Sequence, residues 1–135
     1  MILLVEDSPD DEALMVRALE QSSSAGVTVM RDGADAVAWL LSVGGPPFPE
    51  LVLLDMNLPR VKGIDVLRRI RTLPHLRHVP VVMLTSSAHA DEVARSYESG
   101  ANSCVSKPSD PDRLAQAIRG IARYWLELNS PVVPP

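Results

Sequence analysis

Continuous apolar runs alternate with amphipathic stretches along the whole chain. Ile2-Leu3-Leu4-Val5, Leu51 to Leu54 and Val79 to Leu84 are apolar at nearly every position, rather than at every second one. Such runs belong to parallel strands covered on both faces. Val27-Thr28-Val29-Met30 and a short segment, Ser103 to Val105, complete a set of five strand-like segments. A helix-like stretch follows each. Ser8 can cap the first, Pro9 suits its opening turn, and Asp10 and Asp11 favour the positive end of its dipole. The pattern carries this helix to about Gln21. The second covers Ala34 to Leu41 and stops at Gly44-Gly45-Pro46-Pro47. The third follows Gly63, with Ile64, Leu67 and Ile70 on one stripe. The fourth spans Ala90 to Glu98 and ends at Gly100, a left-handed cap. The fifth starts near Asp110-Pro111 and carries Leu114, Ile118, Ile121, Trp125 and Leu128. Strand and helix alternating in this way predict an α/β domain with right-handed helical crossovers. Residues 1–128 read as one domain, and 129–135 as a proline-rich, flexible tail.

Bulk properties narrow the classes. The 135 residues suit one domain, and a hydrophobic share of 46% is enough to bury a core. A net charge of −4 argues against a nucleic-acid surface. The single cysteine, Cys104, excludes an internal disulfide and fits a reducing compartment. No apolar run reaches the roughly 18 residues needed to span a bilayer. Met1 leads into a strand with no basic segment before it, so no signal peptide and a cytoplasmic location are expected. His75, His78 and His89 lack metal-ligand spacing and read as solvated. Trp39 reads as packing at a helix edge.

Chemistry-bearing residues fall where strands should stop. Glu6-Asp7 follows the first strand, Asp55 ends the third, Thr85 follows the fourth, and Lys107-Pro108 follows the fifth. In an open parallel sheet, ligands bind outside the carboxyl ends of the strands. Three carboxylates crowded together repel one another and need a cation. Oxygen ligands without His or Cys point to a hard ion, Mg²⁺ or Mn²⁺. Asp7 and Asp55 are the expected direct ligands, with Glu6 acting through water and the backbone carbonyl of Asn57 as a third protein ligand. A carboxylate can also act as nucleophile and form an aspartyl phosphate, and Asp55 on the central strand is best placed. Lys107 would meet the added charge, and the Thr85 hydroxyl would donate a hydrogen bond. Taken singly, Glu6-Asp7 could be a capping cluster, Thr85-Ser86-Ser87 a polar loop and Lys107 a solvated lysine; their joint order and spacing favour a site.

Val5-Glu6-Asp7, Leu53 to Pro59, Gly63, Met83-Leu84-Thr85-Ser86, Gly100-Ala101 and Lys107-Pro108 together resemble the receiver domain of two-component response regulators. The resemblance runs from Ile2 to about Leu128. It implies a flavodoxin-like fold: a five-stranded parallel sheet, order 2-1-3-4-5, doubly wound with five helices. It implies that Asp55 accepts a phosphoryl group from a phosphohistidine of a sensor histidine kinase, with Mg²⁺ required, and that Lys107 and Thr85 bind the phosphoryl oxygens. It also implies a cis peptide before Pro108. The family couples its threonine to an aromatic switch residue; Cys104 stands at that position and has no ring to move. Thr85 and Cys104 are therefore the expected switch positions. Asn57 and Ser87 occupy positions through which the family tunes phosphoryl lifetime.

With no output domain expected after the receiver fold, the chain should act through partners, not as an enzyme. Leu14, Met15, Val16, Ala18 and Leu19 either expose a kinase-docking residue or form a broad core stripe. Tyr124-Trp125-Leu126-Glu127-Leu128 either joins helix four in a homodimer face or covers the edge of the core. This ending, with Asn57-Leu58-Pro59, resembles single-domain receivers paired with phytochrome-type kinases. Two alternatives compete. An Mg²⁺-dependent phosphatase with an Asp nucleophile would want an acid where Asn57 stands. A phosphorylation-independent scaffold would not need Asp55, Thr85 and Lys107.

Overall fold

The computed structural model describes residues 1–87 and 89–133. Pro134 and Pro135, the end of the expected tail, lie outside the described residues. The strands are β1 (Ile2–Val5), β2 (Val27–Met30), β3 (Leu51–Asp55), β4 (Val81–Thr85) and β5 (Ser103–Ser106). The helices are α1 (Pro9–Ser22), α2 (Gly33–Ser42), α3 (Gly63–Thr72), α4 (Ala90–Glu98) and α5 (Pro111–Arg123). All strand pairs are parallel and the sheet order is β2-β1-β3-β4-β5. This is the predicted flavodoxin-like topology.

The uninterrupted apolar strands sort into two cores by alternation. Leu3, Val5, Val52, Leu54, Val81 and Met83 pack with Ala36, Leu40, Leu67 and Ile70 of α2 and α3. Ile2, Leu4, Leu51, Leu53, Val82 and Leu84 face the other way, onto Met15 and Leu19 of α1 and Leu114 and Ile118 of α5. Both faces of β1, β3 and β4 are thereby removed from water, which is why those strands tolerate no polar interior position.

The caps are as the sequence indicates. Ser8 accepts from the Asp11 amide at the start of α1, and Asp110 from the Asp112 amide at the start of α5. Gly100 has φ +107°, a conformation that side chains resist. A Cβ there would also sit 2.9 Å from Arg71 Cγ.

Several expectations change. Residues Tyr124–Leu128 form a π-helical turn rather than a continuation of α5. Trp125 packs on the α1–α5 core and so covers its edge, whereas Tyr124 and Leu128 are exposed. On α1, Leu14 and Val16 are half-buried against the same core, so Leu14, Met15, Val16, Ala18 and Leu19 form one broad stripe. His75 is half-buried, with its ring 5.2 Å from that of Phe48, rather than solvated. The cis peptide among the described residues is Pro46–Pro47; Lys107–Pro108 is trans. The lysine reaches the sheet edge nonetheless, because its amide continues the β-ladder by donating to the Thr85 carbonyl at 2.7 Å.

Candidate functional site

The same device places Glu6, Asp55 and Lys107 at the carboxyl edge. Ladder hydrogen bonds run one residue past the strands: the Glu6 amide donates to the Met30 carbonyl at 3.0 Å, and the Met56 amide to the Leu84 carbonyl at 2.9 Å. Backbone pairing thus fixes where the side chains at positions 6, 55 and 107 leave the sheet. Gly63 completes the edge. A Cβ on Gly63 would lie 2.2 Å from the Asp55 carbonyl oxygen, so only glycine lets α3 begin this close to β3.

Oxygens of Glu6, Asp7 and Asp55 lie within 4.8 Å of one another. Glu6 and Asp55 are buried and Asp7 is exposed. The set is all oxygen, compact and open to solvent on one side, which fits a hard divalent ion retaining part of its water shell. Lys107 joins the same edge. Its ammonium donates to Glu6 Oε1 at 2.6 Å, Asp11 Oδ2 at 3.1 Å and Asp55 Oδ2 at 3.4 Å. Two backbone amides orient the buried carboxylates: Asn57 N–H donates to Asp55 Oδ1 at 3.0 Å, and Ser8 N–H to Glu6 Oε2 at 3.2 Å.

The electrostatics follow from burial. Desolvation pushes Glu6 up from 4.5 to about 7; the Lys107 hydrogen bond opposes this, and the neighbouring Asp55 adds to it. Burial disfavours the charge on Lys107, but hydrogen bonds and charge from Glu6, Asp55 and Asp11 outweigh it and hold the ammonium above the usual lysine range.

Thr85 is fully buried, and its hydroxyl faces its own loop. It donates to the Ser87 carbonyl at 2.6 Å and accepts from the Ser87 amide at 3.2 Å. Ser87 Oγ donates in turn to Glu92 Oε2 at 3.1 Å. Thr85 makes no hydrogen bond to Asp55. Cys104 is a half-buried free thiol. Its backbone amide donates to the hydroxyl of Tyr97, 3.2 Å away, so an aromatic from α4 stands over β5. The predicted residues therefore separate into a converged group, Glu6, Asp7, Asp55 and Lys107, with Asn57 tied to it, and a second group, Thr85 and Cys104, engaged toward α4.

Sequence reasoning missed three contributors. Asp11 reads as a helix-opening acid, although its place four residues after Asp7, in the first turn of α1, points it back toward the same edge. Arg71 donates to the carbonyls of Gly100, Arg77 and Val79 and to Asn102 Oδ1, and burial lowers its pKa. Arg60 has φ 65° and grips Asp32 at 2.8 Å and Asp35 at 2.9 Å, which fastens the loop after Asp55 to the start of α2. The Asp35 amide, with Arg60 beside it, holds Asp32 below the ordinary carboxylate range.

A doubly wound parallel sheet whose carboxyl edge gathers three acids and a lysine has the arrangement of a receiver-type signalling domain. Residues 2–119 match the response regulator receiver domain, and the chain belongs to that family. Response regulator Rcp1 of Synechocystis sp. is 40% identical over 131 residues, covering 94% of this chain and 89% of its own. The probable methanogenesis regulatory protein FilR2 of Methanothrix harundinacea is 39% identical over 132 residues, covering 96% and 85%. Among solved structures, the phosphorylated cyanobacterial phytochrome response regulator RcpA superposes with TM-score 0.90 at 34% identity, covering 98% of this chain and 97% of its own. The Mn²⁺-bound form of Rcp1 gives TM-score 0.86 at 38% identity, with 98% of each chain covered. Receiver domains are signalling modules that work with sensor histidine kinases. Among the described residues, no helix is long and apolar enough to cross a membrane.

Proposed function

We propose that this chain is a phosphorylation-controlled binding module that accepts a phosphoryl group on Asp55 from a sensor histidine kinase in an Mg²⁺-dependent reaction. The observation that carries this reading is Lys107 Nζ at 3.4 Å from Asp55 Oδ2, where Asp55 is one of three acids whose oxygens lie within 4.8 Å of one another. Asp7 and Asp55 would hold the ion, with the Asn57 carbonyl as a further ligand and Glu6 acting through water. When bound, a divalent ion would offset charge on the carboxylates and the incoming group.

The protein's own part follows. The Asn57 amide fixes one Asp55 oxygen and leaves the other toward Lys107. An Asp55 oxygen forms a bond to phosphorus as the phosphorus–nitrogen bond of the donor phosphohistidine breaks, and the electron pair departs with the imidazole. Lys107 then offers N–H groups to the phosphoryl oxygens. Thr85 has a single hydroxyl proton, now given to the Ser87 carbonyl, so contact with the phosphoryl group requires that bond to break. This links phosphorylation to the loop before α4 and gives the two-state element through which partner binding changes.

The likeness to RcpA, a phytochrome response regulator, supports a phytochrome-type kinase as the input. Exposed Tyr97 and Tyr124 support a homodimer through the α4 and α5 face. A cytoplasmic location follows from this signalling role. The test is transfer from a phosphorylated histidine kinase with and without Mg²⁺. Label should reach the wild-type chain only with the ion, and should not reach Asp55→Asn. Transfer to Asp55→Asn at the wild-type rate would overturn the reading. Turnover of a simple phosphomonoester would favour the phosphatase alternative.

A further inference from the structure

We infer that Asp11 is a positioning residue for Lys107, holding its ammonium over Asp55 when a divalent cation occupies the neighbouring acids. This rests on the phosphoacceptor reading above and deepens it. The ammonium has three N–H groups and meets three carboxylates, Glu6 at 2.6 Å, Asp11 at 3.1 Å and Asp55 at 3.4 Å. Two of these, Glu6 and Asp55, also belong with Asp7 to the compact acidic group; Asp11 does not. A cation beside Glu6 and Asp55 offsets their charge and repels the ammonium. Asp11 then becomes the acid whose full charge still faces Lys107.

The geometry suits that task. Lys107 and Asp11 are 96 residues apart in the chain, so their contact is made by the fold. The Asp11 amide is held by Ser8 Oγ in the first turn of α1, which fixes where the carboxylate begins. The Asp11 side chain is 36% exposed and that of Glu6 1%. The ammonium is thus held from the solvent side by one acid and from the interior by another. An acid in a first helical turn also stabilises the helix through its dipole. Asp10 and Glu12 stand in that same turn and neither touches Lys107; Glu12 pairs with Arg31.

Asp10→Asn is therefore the control for helix effects. The experiment compares the full-length wild type, Asp10→Asn, Asp11→Asn and Asp11→Glu in saturating Mg²⁺. The first readout is the proton–nitrogen NMR correlation of the Lys107 ammonium. Its exchange-protected signal should persist in the wild type, Asp10→Asn and Asp11→Glu, and vanish in Asp11→Asn. The second is affinity for beryllofluoride, a phosphoryl mimic. Asp11→Asn should weaken it by about tenfold, the loss of one charge-assisted hydrogen bond, while Mg²⁺ affinity changes by less than about threefold. In a Lys107→Met background, Asp11→Asn should have no further effect. An unchanged ammonium signal in Asp11→Asn, equal losses in Asp10→Asn, or full additivity with Lys107→Met would overturn the inference. If the wild type bound no beryllofluoride while the ammonium signal still depended on Asp11, the phosphoacceptor reading would fail and the role of Asp11 would stand.

Discussion

Replacing Glu6 with Gln removes a carboxyl whose ionisation the fold controls. Burial, opposed by Lys107 and reinforced by Asp55, raises Glu6 from 4.5 to about 7. Between those values the folded protein retains a proton that the unfolded chain has released. Unfolding free energy therefore falls as pH rises through this window, and the contribution is fully present below it. At about 1.4 kcal/mol per pKa unit, the fall from about pH 5 to pH 7 is about 2 kcal/mol for this group. Gln does not titrate, so the difference between the two proteins reports Glu6 together with its coupling to Asp55 and Lys107. Urea unfolding in EDTA across this range measures it. The variant should gain about 2 kcal/mol on the wild type as pH rises from 5 to 7. Saturating Mg²⁺ should shrink that gain, because a nearby cation favours the ionised form. Parallel stability profiles in EDTA would refute the raised ionisation. A gain unchanged by Mg²⁺ would refute a cation beside Glu6.

Three further outcomes follow from other contacts. Arg71→Lys replaces a planar fork that serves three carbonyls and Asn102 Oδ1, and should cost about 2–3 kcal/mol in urea unfolding; a loss below about 0.5 kcal/mol would show those bonds to be replaceable by water. Gly63→Ala drives a Cβ to 2.2 Å from the Asp55 carbonyl, so it should lower stability by more than about 2 kcal/mol and slow phosphotransfer together. Normal rates in a folded variant would mean the α3 start can shift without moving Asp55. Tyr97→Phe removes the acceptor of the Cys104 amide, and that amide should exchange with solvent about fivefold faster, near 1 kcal/mol.

The topology was legible because it rests on local pattern. Runs such as Leu51 to Leu54 can be satisfied only by burial on both faces, and Gly100 needed only its own backbone to reveal a left-handed cap. The convergence of Glu6, Asp7, Asp55 and Lys107 was legible for a related reason: a parallel sheet sends every strand's carboxyl end to one edge. What escaped notice depends on side-chain reach across the fold. Asp11 looked complete as a helix-opening acid, so its contact with Lys107 had no separate sign in the sequence. Arg71 uses backbone carbonyls as acceptors, and these carry no residue identity to read. The hydroxyl of Thr85 gives its proton to the Ser87 carbonyl, a loop contact that the residue pattern around Thr85 does not announce. The trans peptide before Pro108 and the π-helical turn at Tyr124–Leu128 likewise depend on tertiary context rather than on the residues alone. The family relation covers residues 2–119; Asp11 and Tyr97 show how this chain fills in positions about which the family motifs are silent.

The most direct test of the account is where, and under what condition, the chain becomes phosphorylated. A small donor such as acetyl phosphate, followed by intact-mass measurement and peptide mapping, reads both. One phosphoryl group should be added in Mg²⁺, mapped to Asp55, lost under base, and absent in EDTA, in Asp55→Asn and, to a large extent, in Lys107→Met. A chain that stays unmodified in Mg²⁺, or that gains its phosphoryl group elsewhere than Asp55, would contradict the central claim.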